Sequence, residues 1–147
     1  MKVKDALVKS DFKSASAAVS DFKTAINKEA SFTHKNDLLS AVEKMNKANS
    51  LEKQREAFAD VSIIMWKTIK ASGKNTQELY YQYCSMKKAY WISKEKEIKN
   101  PYYDFKYCTA VYVTVKHFLD KKIYRNTFFF SFGGVTLAEY LKQSNDD

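Results

Sequence analysis

Residues 79–108 read LYYQYCSMKKAYWISKEKEIKNPYYDFKYC, and their composition sets them apart from the rest of the chain. The stretch contains both cysteines, the only proline, one of the two tryptophans and seven of the ten tyrosines. The sequence before it is rich in lysine, alanine and serine, and its apolar residues follow helical spacing. Aromatic residues in alternation favour strands instead. The change of pattern predicts a helical scaffold that carries one irregular, aromatic, sulfur-bearing segment.

The quoted stretch itself predicts a small β-hairpin. Alternation from Leu79 to Tyr83 is typical of a short strand, and Ala89 to Ile92 is the expected partner strand across a turn at Ser85 to Lys88. Ser93 is then expected to cap one helical turn over 94–99. The Asn-Pro pair that follows ends this turn, because a residue before proline is disfavoured in helical geometry.

Four helices are predicted upstream of the hairpin. They cover Lys2 to about Lys9, a helix capped by Ser10-Asp11, a helix from about Asn36, and Leu51 to about Ala71 with Ser50 as its N-cap. Apolar residues three and four positions apart define the inner faces of the second and fourth helices. These residues are Phe12, Ala15, Val19, Phe22 and Ile26 in the second helix, and Phe58, Val61, Met65 and Ile69 in the fourth. The two faces are expected to share one core.

The fold class predicted from these patterns is mainly α: an antiparallel helical bundle with a small β-hairpin and an irregular aromatic C-terminal segment. A chain of 147 residues is long enough to bury a core as one domain. We expect a helical part at 1–72, a sulfur and aromatic part at 73–118, and a tail at 119–147. Thr109 to Val115 alternates as a further strand, and Thr136 to Lys142 is expected to form a last short helix.

The charge of the chain argues against specific nucleic-acid recognition. The formal net charge is +8, and lysine supplies nearly all of the positive charge, with arginine at Arg55 and Arg125. Bidentate recognition of phosphates and bases favours arginine, so weak nucleic-acid binding is only the third functional hypothesis. No apolar run approaches the ~20 residues of a membrane span, and the N-terminus shows no secretory signal. The chain is therefore expected to be cytosolic or to lack a leader.

Cys84, Met86 and Cys108 are the residues most able to carry chemistry. Thiolate and thioether sulfurs are soft donors that suit Cu(I) or Ag(I), and residues two apart in a strand point the same way. The alternatives are a disulfide, or a buried cysteine with a methionine that fills a gap in the core. No CxxC zinc spacing, histidine cluster or glycine-rich phosphate loop occurs, so we expect no enzymatic activity.

Several motifs occur in the order of a known family: Tyr-Cys-Ser-Met at 83–86, Trp-Ile-Ser at 91–93, Ile-Lys-Asn-Pro-Tyr at 98–102 and Cys108. The chain from about Val3 to Ala110 thereby resembles a bacterial family of unknown function. This family occurs alone or at the C-terminus of periplasmic adaptor subunits of copper/silver efflux systems. The helical motifs at 4–11 and 54–58 are similar too.

The resemblance implies an envelope or periplasmic module that binds a soft metal, Cu(I) or Ag(I), at Cys84, Met86 and Cys108. Its implied partner is an efflux adaptor or another envelope protein. The chain departs from the family's pattern at Ser85, where proline is expected, at Phe105, where a second methionine is expected, and at Thr109, where glycine is expected. Three of four sulfur donors remain, so a metal-free structural or protein-interaction domain is the alternative.

Overall fold

A computed structural model describes residues 2–72, 79–103, 112–119 and 122–129, and the last two ranges are described by their backbone alone. The first range contains four helices, as the sequence predicts. They are α1 (Lys2–Val8), α2 (Phe12–Lys28), α3 (Lys35–Asn46) and α4 (Leu51–Ser72). The strands are β1 (Tyr80–Cys84), β2 (Ala89–Ser93), β3 (Tyr112–Leu119) and β4 (Lys122–Phe129).

Local capping fixes where two of the helices begin. The Asp11 carboxylate accepts a hydrogen bond from the Ser14 backbone N–H at 3.0 Å and so caps α2. The Ser50 hydroxyl oxygen accepts one from the Lys53 backbone N–H at 3.3 Å, ahead of α4. Both predicted N-caps are confirmed. By contrast, α3 follows His34, which has a left-handed backbone and makes no side-chain cap bond.

The main core joins α2 to α4 and extends onto the hairpin. Of the residues predicted for a shared core, Ala15, Val19, Ile26, Phe58 and Val61 are buried in this one cluster. Phe22 and Met65 pack at its margin, and Phe12 is only partly buried. Ile69 packs instead against a second cluster, formed by Trp66, Leu79, Tyr81 and Ile92. The shared face is thus confirmed except at its two ends.

The strands form one antiparallel sheet in the order β2-β1-β3-β4. The predicted β1–β2 hairpin is confirmed, with Gln82 opposite Trp91 and Cys84 opposite Ala89. The mainly α class with a small β-hairpin is confirmed as well. A second hairpin, β3–β4, enlarges the sheet and pairs with β1.

Strand β3 contains the described part of the strand predicted from Thr109 to Val115, and β4 lies in the tail, for which the sequence predicts irregular structure. The sequence of β4, KIYRNTFF, does not predict a strand, because charged and amide residues interrupt the alternation of apolar and aromatic ones. The helix predicted for 136–142 lies outside the described residues.

The helical turn predicted for 94–99 is wrong, since residues 94–97 form bends. The Ser93 hydroxyl accepts a hydrogen bond from the Glu95 backbone N–H at 3.0 Å, which offers the backbone an alternative to a helix. The Gln82 side-chain amide donates to the backbone carbonyls of Glu95, at 3.5 Å, and Lys96, at 3.3 Å. These carbonyls therefore bond to a side chain from β1 and not to later amides.

No helix within the described ranges combines the length and the apolarity needed to cross a membrane.

Candidate functional site

Cys84 is the last residue of β1 and lies opposite Ala89 of β2. Its exposed fraction is 0%, and it belongs to the main core cluster together with Trp91 and Tyr102. In the described part of the chain this cysteine is a free thiol. The Cys84 thiol at the end of β1 therefore lies in the protein core.

Met86 lies two residues further on, in the turn between β1 and β2, and 50% of it is exposed. It is the one exposed large hydrophobic residue among the residues whose side chains are described. The turn closes at Lys88, whose φ of 51° is left-handed. Because β1 ends at Cys84, strand parity does not extend to Met86, and the parity argument for a common direction of the two sulfurs does not hold.

Cys108, the third predicted donor, lies outside the described residues, as do Phe105 and Thr109. Its pairing with Cys84, by a metal or by a disulfide, therefore stays a prediction. Among the described residues no three His, Cys, Asp or Glu side chains are grouped so that they could hold a metal ion. The structure thus describes two soft donors, one buried and one exposed, at the same end of the first hairpin.

A stack of four aromatic rings covers the hairpin. The Trp66 ring of α4 is parallel to that of Tyr81, with centroids 4.5 Å apart, and Tyr81 stacks on Tyr90 at 4.6 Å. Tyr83 completes the series at 4.5 Å from Tyr90 in a tilted arrangement. Burial, and to a lesser degree the neighbouring Tyr90 hydroxyl, raises the pKa of Tyr81 to about 12.

The sequence reasoning did not identify this stack, although the hairpin register could have shown it. Tyr83 is directly opposite Tyr90 on the paired strand, and Tyr81 is its diagonal neighbour. Cross-strand neighbours of this kind lie close enough for aromatic contact.

The Asn-Pro-Tyr-Tyr segment is structural, as the sequence predicts. The Asn100 side-chain oxygen accepts a hydrogen bond from the Tyr102 backbone N–H at 2.9 Å. The Tyr102 hydroxyl donates to the Tyr90 carbonyl, and its ring packs on Phe58 and Trp91 with centroids 5.9 and 6.1 Å away. Burial is the main cause that raises the Tyr102 pKa far above its ordinary value.

Arg55 of α4 connects this segment to the first helix. Its Nε donates to the Pro101 carbonyl at 2.8 Å, and one terminal nitrogen donates to the Leu7 carbonyl at 3.0 Å and the Ser10 hydroxyl at 2.9 Å. The planar fork of a guanidinium suits several acceptors at once. Sequence reasoning gave Arg55 no such role, because its acceptors are mainly backbone carbonyls that no residue pattern marks.

A family model described as a protein of unknown function, DUF3347, matches residues 1–77. The chain belongs to this family. The matched part of the DUF3347 domain contains α1 to α4 and ends ahead of β1, so Cys84, Met86 and Cys108 lie beyond it. No curated protein and no solved structure is significantly similar to the chain.

Proposed function

We propose that this DUF3347 protein is a non-enzymatic envelope module that binds one soft metal ion, Cu(I) or Ag(I), through Cys84, Met86 and Cys108. The proposed partner is an efflux adaptor or another envelope protein that receives the ion. The observation that carries the proposal is the half-exposed Met86, two residues after the Cys84 thiol in one tight hairpin.

The chemistry of these donors limits the choice of ion. Sulfur ligands favour Cu(I), whereas magnesium and calcium prefer oxygen ligands. Met86 is half-exposed in the turn that follows β1, where an ion can reach it, and Cys84 offers a buried donor at the end of the same strand. Binding requires the Cys84 thiol to lose its proton and the turn at 85–88 to admit the ion to the buried sulfur. Phe105 has no lone pair, so the affinity should be lower than in a four-sulfur site.

Anaerobic Cu(I) titration of the reduced protein against a chromogenic Cu(I) chelator tests this proposal. We expect one equivalent to bind, Cys84→Ser to abolish binding, and Met86→Leu to weaken it at least about tenfold, since even outer-sphere changes cost that much at metal sites. Met65→Leu is the matched control, because Met65 is partly buried in the helical part and should not affect the ion. Equal binding by wild type and Met86→Leu would refute the assigned ligand set.

A second candidate is a metal-free structural or protein-interaction domain, and the complete burial of Cys84 favours it. Under this hypothesis the cysteine is a small core residue and its conservative replacement by alanine or serine has no effect on any metal. Native mass spectrometry after Cu(I) loading separates the two functions: a mass increase by one copper ion supports the first, and an unchanged mass supports the second.

Oxidised samples need a separate measurement, because a Cys84–Cys108 disulfide would block the proposed site. The two cysteines are 24 positions apart in sequence (108 − 84 = 24), and a bridge over such a loop contributes roughly 3 kcal/mol. Thiol counting before and after reduction identifies the bridge.

A further inference from the structure

A groove lies where α1, α2, α4 and the end of β2 meet. Neither Cys84 nor Met86 lines it. Its volume is about 520 Å³, within the ~300–1,000 Å³ range of small-molecule sites. The walls are mainly apolar, and Val3, Phe22, Met65 and Ile69 in them are only partly buried. A contiguous, partly exposed apolar surface of this kind is typical of a binding site.

The shape of the groove suits an extended chain. Its α4 wall runs from Phe58 to Ile69, which corresponds to a rise of roughly 16 Å along the helix. Among the described lining residues, Ser62 is the sole uncharged polar side chain. A bound peptide would leave its backbone amides and carbonyls without partners there, whereas an alkyl chain has no such groups.

Three lysines line the groove, at the start of α1 and just after β2. Lys2 and Lys94 line it, are exposed, and have no ion-pair partner among the described residues. Lys4 also lines it, and its Nζ lies 2.8 Å from an Asp5 carboxylate oxygen and 3.7 Å from one of Glu95. The Lys4–Glu95 contact brings the start of α1 beside the residues after β2, and these two segments carry Lys2 and Lys94.

The charge of Lys4 is balanced by its two carboxylate neighbours, which leaves Lys2 and Lys94 to attract a ligand. Asp21 of α2 is the one acidic side chain among the described lining residues. The net charge of Lys2, Lys94 and Asp21 is positive, and it complements an anionic head group.

We propose that this groove binds a long-chain fatty acid, with the alkyl chain along α4 and the carboxylate between Lys2 and Lys94. This ligand site is independent of the proposed metal function. The carboxylate would form charge-assisted hydrogen bonds with the two ammonium groups, and the chain would cover the exposed parts of Phe22 and Met65.

Displacement of a fluorescent fatty acid by palmitate from the full chain tests the proposal, with the alcohol of the same chain length as a neutral competitor. We expect micromolar palmitate to displace the probe and the alcohol to compete several times more weakly. Lys2→Gln combined with Lys94→Gln should weaken palmitate about three- to tenfold, as for exposed charge pairs, and leave the alcohol unchanged. Asp21→Asn should tighten palmitate binding about twofold.

Lys53→Gln is the matched control, because Lys53 is an exposed lysine in the first turn of α4 and does not line the groove. Met65→Gln tests the apolar wall: it keeps the side-chain length, and we expect it to weaken palmitate and alcohol alike by about fivefold. Circular dichroism shows whether each variant folds. Cys84→Ser should bind palmitate as wild type does, which separates this site from the metal site.

Three results would overturn the proposal. The first is failure of palmitate to displace the probe from wild type. The second is equal competition by acid and alcohol together with no effect of the lysine substitutions. The third is self-association of the chain that palmitate leaves unchanged, which would assign the groove to a second copy of the chain.

Discussion

At the scale of single residues, Arg55 shows how one side chain can hold distant parts of a chain together. Its guanidinium donates to acceptors in α1, at Ser10 between α1 and α2, and in the Asn-Pro turn, over sequence separations of 45 to 48 residues. Three separate stretches of backbone and side chain thus meet at one cation.

Replacement of Arg55 by lysine should destabilise the protein. An ammonium group cannot reproduce the fork, so at least one carbonyl loses its charged donor, at a cost of about 1–3 kcal/mol. Chemical denaturation followed by circular dichroism measures the free energy of unfolding. Lys53→Gln on the same helix is the control and should change it by less than ~0.5 kcal/mol. A similarly small change for Arg55→Lys would show that the hydrogen bonds do not stabilise the fold.

Tyr81 should make stability fall at alkaline pH. Its folded pKa is about 12, above the ~10 of an unfolded tyrosine, so the folded state holds the phenol proton more tightly. The associated stability is fully present below pH ~10 and is lost as the pH rises toward 12. Ultraviolet titration of phenolate absorbance should show a component near pH 12 that Tyr81→Phe removes, while Tyr102 titrates at higher pH still. If all tyrosines titrated together near pH 10 in the folded protein, the assignment would be wrong.

At the scale of elements, the helices and the first hairpin could be predicted because short-range signals define them. Asp11 and Ser50 mark helix starts, and alternation marks β1. The turn at 94–99 could not be predicted, since a glutamine from another strand binds its carbonyls. The strand-parity argument for Cys84 and Met86 does not apply, because β1 ends at Cys84, and the shared ligand set stays a prediction.

Phe58 provides a test of the helix packing. It is 7% exposed and contacts the Tyr102 ring in the core that α4 shares with α2, so Phe58→Ala should cost about 3–5 kcal/mol. Phe12→Ala makes the same chemical change at a partly buried position and should cost clearly less. Chemical denaturation of both variants measures their free energies of unfolding. A loss under ~1 kcal/mol for Phe58→Ala would show that the assigned face of α4 is not the core face.

At the scale of the whole molecule, the net charge follows directly from the composition, whereas the groove could not be predicted from the sequence. The groove's walls come from three helices and a strand, and no single segment carries its pattern. The candidate metal site could be proposed from its motifs alone, but the depth of Cys84 depends on how the hairpin packs against the helices.

The excess of lysine should give weak and nonspecific binding to DNA. Lysine contacts to phosphate carry no sequence information, and such binding falls steeply with salt. Retention on DNA should therefore disappear near physiological salt and should not differ between sequences. Tight, sequence-dependent retention at that salt concentration would raise nucleic-acid binding above the other two functions.

The main core cluster contains Leu7 and Phe58 from the helices and also Trp91 and Tyr102 from the segment beyond the family match. Because these residues share one buried cluster, the helical part and the segment beyond residue 77 should unfold together and not one after the other. Amide hydrogen exchange should thus slow to a common limit in α4 and in β1. A shortened chain that ends at residue 77 would lose that protection, because it would lack Trp91 and Tyr102, and the Tyr102 ring packs against Phe58.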